Sequence, residues 1–585
     1  LSTKTFIKGK DRDLESSIES MLEKLKSFNI EIEEASWLNP VPFVYSVHIR
    51  DKECGLMFTN GKGASKKAAL ASALGEFFER MSCNYFFADF YLGKEFANAA
   101  FTHYPNERWF EISERMPQEL LNETLWDFYD PDGELLPEQL YELNSGAGER
   151  GICALPFTRL SDNEEILFPV NLIANLYVSN GMSAGNTRAE ARVQALSEIY
   201  ERYVKNKIIA EGICLPEIPH AVIERFPHAK EAIDKLTEHG FHLRVADASL
   251  GGVYPVISVT LINPKDGSVF ASFGAHPCFE VALERTVTEL LQGRGLNQLD
   301  SFQAPSFNMN EVADSNNLVE HFINSTGLIS YDFFKDSPDY AFVDWNHDSD
   351  TESEFEYLSS IIHEMGHEIY IMEYEHLNVY ACRVLVPGMS EIYPVEDLVW
   401  SNNNEGAQFR EAILSLKSLD KEEWQDLLEQ LEEGAFEDMR KVLEFIGIAS
   451  DANTAWANLQ IGELKGMLCL ALGDYEGAKE WNSWSLLMEY DDDKRTKHYR
   501  CLDALLEIEL EDEKEFSNYE ASLVLMYGAE KVQECLALIE GRETFYGLHT
   551  PGLDLDGFET HKKLLKGYVK ANQAKIKYHN EKGVA

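Results

Sequence analysis

Two segments of the chain carry the same pattern, and that repetition limits the fold more than any other feature. GNTRAEARVQALSEIYERYV, Gly185 to Val204, reads as a helix built from good helix formers without proline. At about 100° per residue, Asn186, Glu190, Gln194, Glu198 and Glu201 fall within an arc of roughly 120°. Val193, Leu196, Ile199, Tyr200 and Tyr203 take the other side. GASKKAALASALGEFFERM, Gly63 to Met81, aligns with it. Gly63 falls on Gly185, Ala69 on Ala191, Ala73-Leu74 on Ala195-Leu196, and Glu76, Glu79 and Arg80 on Glu198, Glu201 and Arg202, with Ser72 in place of Gln194. Each helix follows a β-type run ending in Asn-Gly, LMFTNG and LYVSNG. SVFASFGAHPCFEVALERTVTELLQGR, Ser268 to Arg294, is a fainter third copy: Glu289 and Gln292 restate the acidic pair, with Arg285 one turn before.

One such helix needs no special account, because Glu198 and Arg202 make an ordinary i,i+4 pair on a solvated face. Two matched helices change the reading. Duplicated units tend to pack about a pseudo-symmetry axis, so Glu76, Glu79, Glu198 and Glu201 are expected to converge. Converging carboxylates repel unless cations separate them, and hard divalent ions take oxygen ligands. A di-iron bundle would need Glu-x-x-His, which neither helix has. Magnesium binds few carboxylates and keeps room for phosphate oxygens, so a nucleoside triphosphate is the economical ligand. The glycine-bearing loops ahead of the helices are expected to offer N–H groups to phosphate.

Around this repeat the chain divides in two. Residues 1–405 mix β-type runs (VYSVHI, ILFPVNLIANLYVS, YPVISVTLI, VYACRVLVPG) with helical segments, which predicts a mixed α/β domain. Residues 406–585 are nearly all helical by pattern, and LALGDYEGAKEW has a tetratricopeptide flavour, which predicts an all-α domain. With 52 basic and 100 acidic residues the net charge is −48, a surface that repels nucleic acid and anionic membrane and suits a basic partner. The same charge means that a bound polyphosphate needs metal ions and a few placed arginines or lysines. No apolar run reaches the roughly 18 residues of a membrane span, and LSTKTFIKGKDRD holds no secretory core. The nine cysteines are scattered, without a CxxC pair, and read as reduced thiols of a cytoplasmic protein.

Two motifs mislead. NGKGASKK, Asn60 to Lys67, lacks the G-x-x-x-x-G-K-[ST] spacing and reads as a strand-to-helix turn. HEMGH, His363 to His367, fits H-E-x-x-H, but Gly366 reads as a helix C-cap before a strand, so His367 should fall outside the helix and the zinc geometry should fail.

ALASALGEFFER, NTRAEARVQALSEIYER and VALERTVTELLQGR together resemble the YcaO family, along essentially the whole chain. The resemblance implies an α/β ATP- and magnesium-binding domain, with a tetratricopeptide-like C-terminal extension, that activates a peptide backbone amide. It implies that Glu76, Glu79, Glu198, Glu201 and Glu289 hold magnesium. Ser72, Ser183, Asn186, Glu190 and Gln194 would contact nucleotide, Lys10 and Ser17 would lie near base and ribose, and Arg202 and Arg285 would face phosphates. Glu198, Glu201, Arg202 and Arg285 are the expected catalytic set. The ending KIKYHNEKGVA has no proline-rich tail, which argues against azoline formation. The partners implied are a peptide or basic ribosomal protein, its methylthiotransferase and a second copy of the chain. The competing readings are a cyclodehydratase or thioamide synthetase, and a nucleotide-sensing interaction protein without turnover.

Overall fold

The computed structural model describes residues 4–299, 302–397, 405–488 and 492–582. Twelve strands form three antiparallel sheets. The first holds β1 (Ile32–Val41), β2 (Val44–Asp51) and β3 (Phe58–Gly63) in the order β1-β2-β3. The largest comprises β4 (Arg108–Phe110), β5 (Ile152–Arg159), β6 (Glu165–Pro169), β7 (Met182–Gly185), β11 (Tyr370–Tyr374) and β12 (Tyr380–Leu385), in the order β4-β5-β11-β12-β7 with β6 on β5. The third holds β8 (His242–Asp247), β9 (Val256–Ile262) and β10 (Val269–Ala275), ordered β10-β9-β8. Each sheet therefore ends in a strand, β3, β7 or β10, that leads into a long helix.

Those helices are Lys66–Ser82, Arg188–Glu211 and Phe279–Leu290, the first, second and third repeat helices. Ser65 caps the first by accepting from Ala68 N (3.2 Å), and Thr187 caps the second by accepting from Glu190 N (3.1 Å). The third has no side-chain cap of its own; Phe279 N donates instead to Asn346 Oδ1 (3.0 Å). Gly212, in the left-handed region at φ +63°, ends the second helix. Of the side chains expected on the apolar side of that helix, Val193, Leu196, Ile199 and Tyr200 are fully buried and Tyr203 is half-buried.

One predicted strand is mostly helical. In ILFPVNLIANLYVS only the start is β6; Val170–Leu172 and Ile173–Tyr177 coil into helical turns, and the strand ahead of the second repeat helix is Met182–Gly185. Pro169, the last residue of β6, has no N–H to continue the ladder. The run is apolar but for Asn171, Asn175 and Ser179, and their four-residue spacing is a helical period. NGKGASKK also differs from a plain turn: β3 runs on through Asn60, Gly61, Lys62 and Gly63 in register with β2, and the helix starts at once after Ser65.

Beyond residue 405 the described residues form helices and no named strand. Ile461–Leu472 and Tyr475–Leu487 make a hairpin turned by Gly473 (φ +81°), with Asp474 accepting from Gly477 N (3.0 Å). The terminal helix, Glu559–Lys582, returns to the N-terminal half. Its Leu564, Tyr568, Ala571 and Ala574 pack with Val47, Ile49, Phe77, Phe78, Met81 and Phe87. Tyr568 donates to Thr102 O, and its ring meets Phe87 and Phe96 edge-on (centroids 5.5 and 4.9 Å). His561 accepts from Ala449 N at Nδ1 (3.0 Å) and therefore donates from Nε2 to Tyr91 O (2.7 Å), linking the two halves. No helix among the described residues is long and apolar enough to cross a membrane. Truncating the buried Tyr568 ring should destabilise the protein by about 3–5 kcal/mol; denaturant unfolding of Tyr568→Ala checks it, and a midpoint unchanged from wild type would mean that the terminal helix adds nothing to the N-terminal core.

Candidate functional site

Glycine fixes how closely each repeat strand meets its helix. A Cβ on Gly63 would lie 2.8 Å from Ala69 N, and one on Gly185 would lie 2.7 Å from Ala191 N, the same clash at aligned positions. A Cβ on Gly61 would collide with the backbone of Ala69 and Ala73; one on Gly274 would meet Ala282 O and Thr286 N, both at 2.8 Å. Gly274 thus stands to the third helix as Gly61 stands to the first. That register places Glu289 on Glu76 and Gln292 on Glu79, and it places Arg285 with Ser72 and Gln194. The glycines sit in strands and serve close packing, rather than forming loops that aim N–H groups at phosphate.

The three units close on one another. The first helix packs against β7, the second against β10 and the third against β3, so each helix touches the strand of another copy. Side chains join across the same seams: Arg285 Nη1 donates to Gln194 Oε1 (2.8 Å), Gln292 Nε2 donates to Asn60 O (3.0 Å), and Lys62 pairs with Glu289.

Carboxylates concentrate where the helices meet. Burial pushes the Glu79 carboxyl well above its ordinary range, and the charges of Glu198 and Glu76 push further, against Arg80 and Arg202. Arg80 pairs with Glu76 (3.2 Å) and stands 3.6 Å from Glu79, while Arg202 pairs with Glu198 (2.6 Å) and lies over the Phe322 ring (4.3 Å). Lys62, on β3, is mostly buried. Burial pulls its ammonium down to about 8 against the raising fields of Glu201, Glu76 and Glu198, with Arg285 lowering it as well. In this arrangement Lys62, Arg80 and Arg202 supply the positive charge, and no three His, Cys, Asp or Glu side chains among the described residues stand grouped as a metal site. The donor set still fits a hard cation. Five glutamates from three helices supply only oxygen, and burial, with the charges of Glu198 and Glu76, holds Glu79 up as an acid.

A second group lies at the start of the second repeat helix. Glu190 is buried, which alone would raise its carboxyl. Lys10 (3.2 Å), Asp11 N (2.9 Å) and Asn186 Nδ2 (3.0 Å) outweigh that and hold it below the usual range. Ser17 Oγ donates to Asn186 Oδ1 (2.8 Å). Lys10, Ser17, Asn186 and Glu190 are therefore one connected network, and the N-terminal segment lies across the helix start. Gly9 allows this approach: at φ +73°, a Cβ there would sit 2.9 Å from His276 Nε2. Ser183 Oγ, fully buried on β7, has no hydrogen-bond partner. Ser72 is exposed on the first helix.

Sequence reasoning missed Lys62, Asp11 and His276. Lys62 stood in NGKGASKK, but only the tertiary fold brings it to Glu289. HEMGH behaves as its glycine predicts. The helix ends at Glu364, Gly366 is at φ +83°, and His367 lies outside it with Nδ1 against Pro387 O (3.0 Å).

Residues 60–390 match the family described as YcaO cyclodehydratase, ATP- and Mg2+-binding, and residues 406–577 match the YcaO cyclodehydratase C-terminal domain. The chain is 55% identical over 584 residues to the ribosomal protein S12 methylthiotransferase accessory factor YcaO of Escherichia coli (98% of this chain, 99% of that one). It is 52% identical over 582 residues to an uncharacterized protein of Haemophilus influenzae (98% and 99%). Among solved structures it is similar to a heterocyclase in complex with substrate and cofactor (TM-score 0.45, 16% identity, 68% of this chain and 57% of that chain). The chain belongs to the YcaO family of ATP- and Mg2+-binding proteins.

Proposed function

We propose that Glu76, Glu79, Glu198, Glu201 and Glu289 hold magnesium, and that the protein uses ATP to activate a backbone amide of a protein substrate in support of ribosomal protein methylthiolation. The observation that carries this reading is the Lys62 ammonium paired with Glu289 in the field of Glu76, Glu198 and Glu201: the site already recruits a cation. When bound, magnesium and ATP supply charge neutralisation and a phosphoryl group. The chain's own part is positional. Lys10, Ser17, Asn186 and Glu190 orient the nucleotide, with Ser183, Gln194 and the exposed Ser72 along its path. Arg202 and Arg285 turn toward its phosphates, and Lys62 moves off Glu289 as magnesium enters. Fixed cations aimed at developing negative charge are the strongest means of promoting such a transfer.

The substrate assignment rests on the E. coli relative's name and on the charge of −48, which suits a basic ribosomal protein and the methylthiotransferase that modifies it. The hairpin Ile461–Leu472/Tyr475–Leu487 supports a tetratricopeptide-like reading of residues 406–585, set apart from the ATP domain of 1–405. All nine cysteines are free and buried, which suits a reducing cytoplasm.

Three outcomes test the reading. Calorimetry should show ATP binding that disappears in chelator and weakens at least ten-fold in Glu76→Gln and Glu201→Gln; equal binding in chelator sinks the carboxylate assignment. Lys62→Met removes the competing ammonium and should tighten magnesium binding without nucleotide by roughly ten-fold or more; weaker binding would make Lys62 a helper rather than a placeholder. Turnover of ATP in the presence of a basic ribosomal protein and its methylthiotransferase should fall in Glu198→Gln. Binding without turnover under every condition favours a nucleotide sensor.

A further inference from the structure

A polar cavity begins one helical turn past the metal-site carboxylates. Cys83 caps the first repeat helix by donating its N–H to Glu79 O (3.0 Å), and its thiol lines the cavity with Asn84, His103, Asn144, Arg383 and Tyr568. The water-accessible space is about 80 Å³. That is room for on the order of five waters or one ligand of several heavy atoms, and too little for a nucleotide. Tyr568 comes from the terminal helix, so the wall is complete only when both halves of the chain are docked.

The lining is unfinished in a directed way. Among the described residues Asn144 Oδ1 and Arg383 Nε have no hydrogen-bond partner, although Arg383 is 7% exposed and Asn144 6%, and His103 Nε2 has only Glu142, at 3.7 Å. Two unmade hydrogen bonds and one long one around a single void demand polar contents. Arg383 goes further. Its Nη2 donates to the carbonyls of Ile173 (3.4 Å) and Val178, and no carboxylate among the described residues pairs with it. The acidic groups that act on it most are Cys83, Tyr374, Tyr104 and Tyr85. Burial pushes the Cys83 thiol up to about 12 and raises both Tyr104 and Tyr374, so these three are neutral at physiological pH. A guanidinium buried without an anion is costly, and this one faces a space of ligand size. Glu142, which also lines the cavity, is engaged by Ser145 N (3.1 Å) and Ser145 Oγ and lies 3.7 Å from His103 Nε2.

We propose that this cavity binds a small oxyanion that also carries a hydrogen-bond donor, its anionic end on Arg383 Nε and its donor on Asn144 Oδ1. An amino acid and inorganic hydrogen phosphate share that chemistry, and both are of the right size. The proposal stands on the cavity and is independent of the nucleotide reading.

The full-length protein is titrated with inorganic phosphate and separately with glycine, by calorimetry, with Mg·ATP binding measured in parallel. Saturable binding of phosphate or of glycine is expected at millimolar concentration, and which one binds identifies the source of the oxyanion. It should weaken at least ten-fold in Arg383→Met and in Asn144→Leu while both variants still bind Mg·ATP. Arg383→Met also releases the carbonyls of Ile173 and Val178, so Asn144→Leu decides the matter if the arginine variant does not fold. No binding of either probe, binding that survives both substitutions, or a crystal structure grown with both probes and showing only water in the cavity overturns the proposal. Loss of Mg·ATP binding with phosphate or glycine binding intact in the Glu76→Gln protein leaves this site standing and concerns the carboxylates alone.

Discussion

Mutual repulsion among Glu76, Glu79, Glu198, Glu201 and Glu289 is the constraint that organises this molecule. Carboxylates gathered in a half-buried space are tolerable only if positive charge is held among them or if one of them keeps its proton. The protein does both. Lys62, Arg80 and Arg202 are drawn in, and the Glu79 carboxyl rises far above its ordinary range through burial and the fields of Glu198 and Glu76.

Holding carboxylates from three helices in one place requires helices that sit close to their strands. Gly61, Gly63, Gly185 and Gly274 supply that closeness, because a methyl group at any of them would strike helix backbone or a side chain packed on it. Each helix also leans on the strand of another copy, so the three units brace one another around the acidic centre. Two of the helices open with a side-chain cap, Ser65 or Thr187, while the third borrows Asn346.

Much of this could be read from residue order, for identifiable reasons. The paired Glu-x-x-Glu-Arg helices announce themselves because surface carboxylates at matched helical positions are rare without cause, and Gly366 rules out the zinc motif because a residue at φ +83° ends a helix. The strand ahead of the second helix was not legible: NLIANLYV is apolar but for Asn171 and Asn175, and their four-residue spacing, with the proline at the end of β6, is the one local hint that the chain coils there. The third copy carries little identity, yet the spacing Gly274, Ala282, Thr286 repeats Gly61, Ala69, Ala73. That is a packing signature, hidden until the contact is known. Lys62 and the Arg383 cavity depend on residues far apart in the chain, and no local pattern marks them.

The terminal helix has a consequence for how the protein comes into being. Phe77, Phe78 and Met81 belong to the first repeat helix, but Tyr568 and Ala574, which pack with them, are translated nearly five hundred residues later. At the ~5–20 residues per second of synthesis, the nascent first unit waits roughly 25–100 s with that greasy surface uncovered. The core of the first repeat unit is thus closed by residues that lie nearly five hundred positions further along the chain, so its folding cannot finish until they emerge.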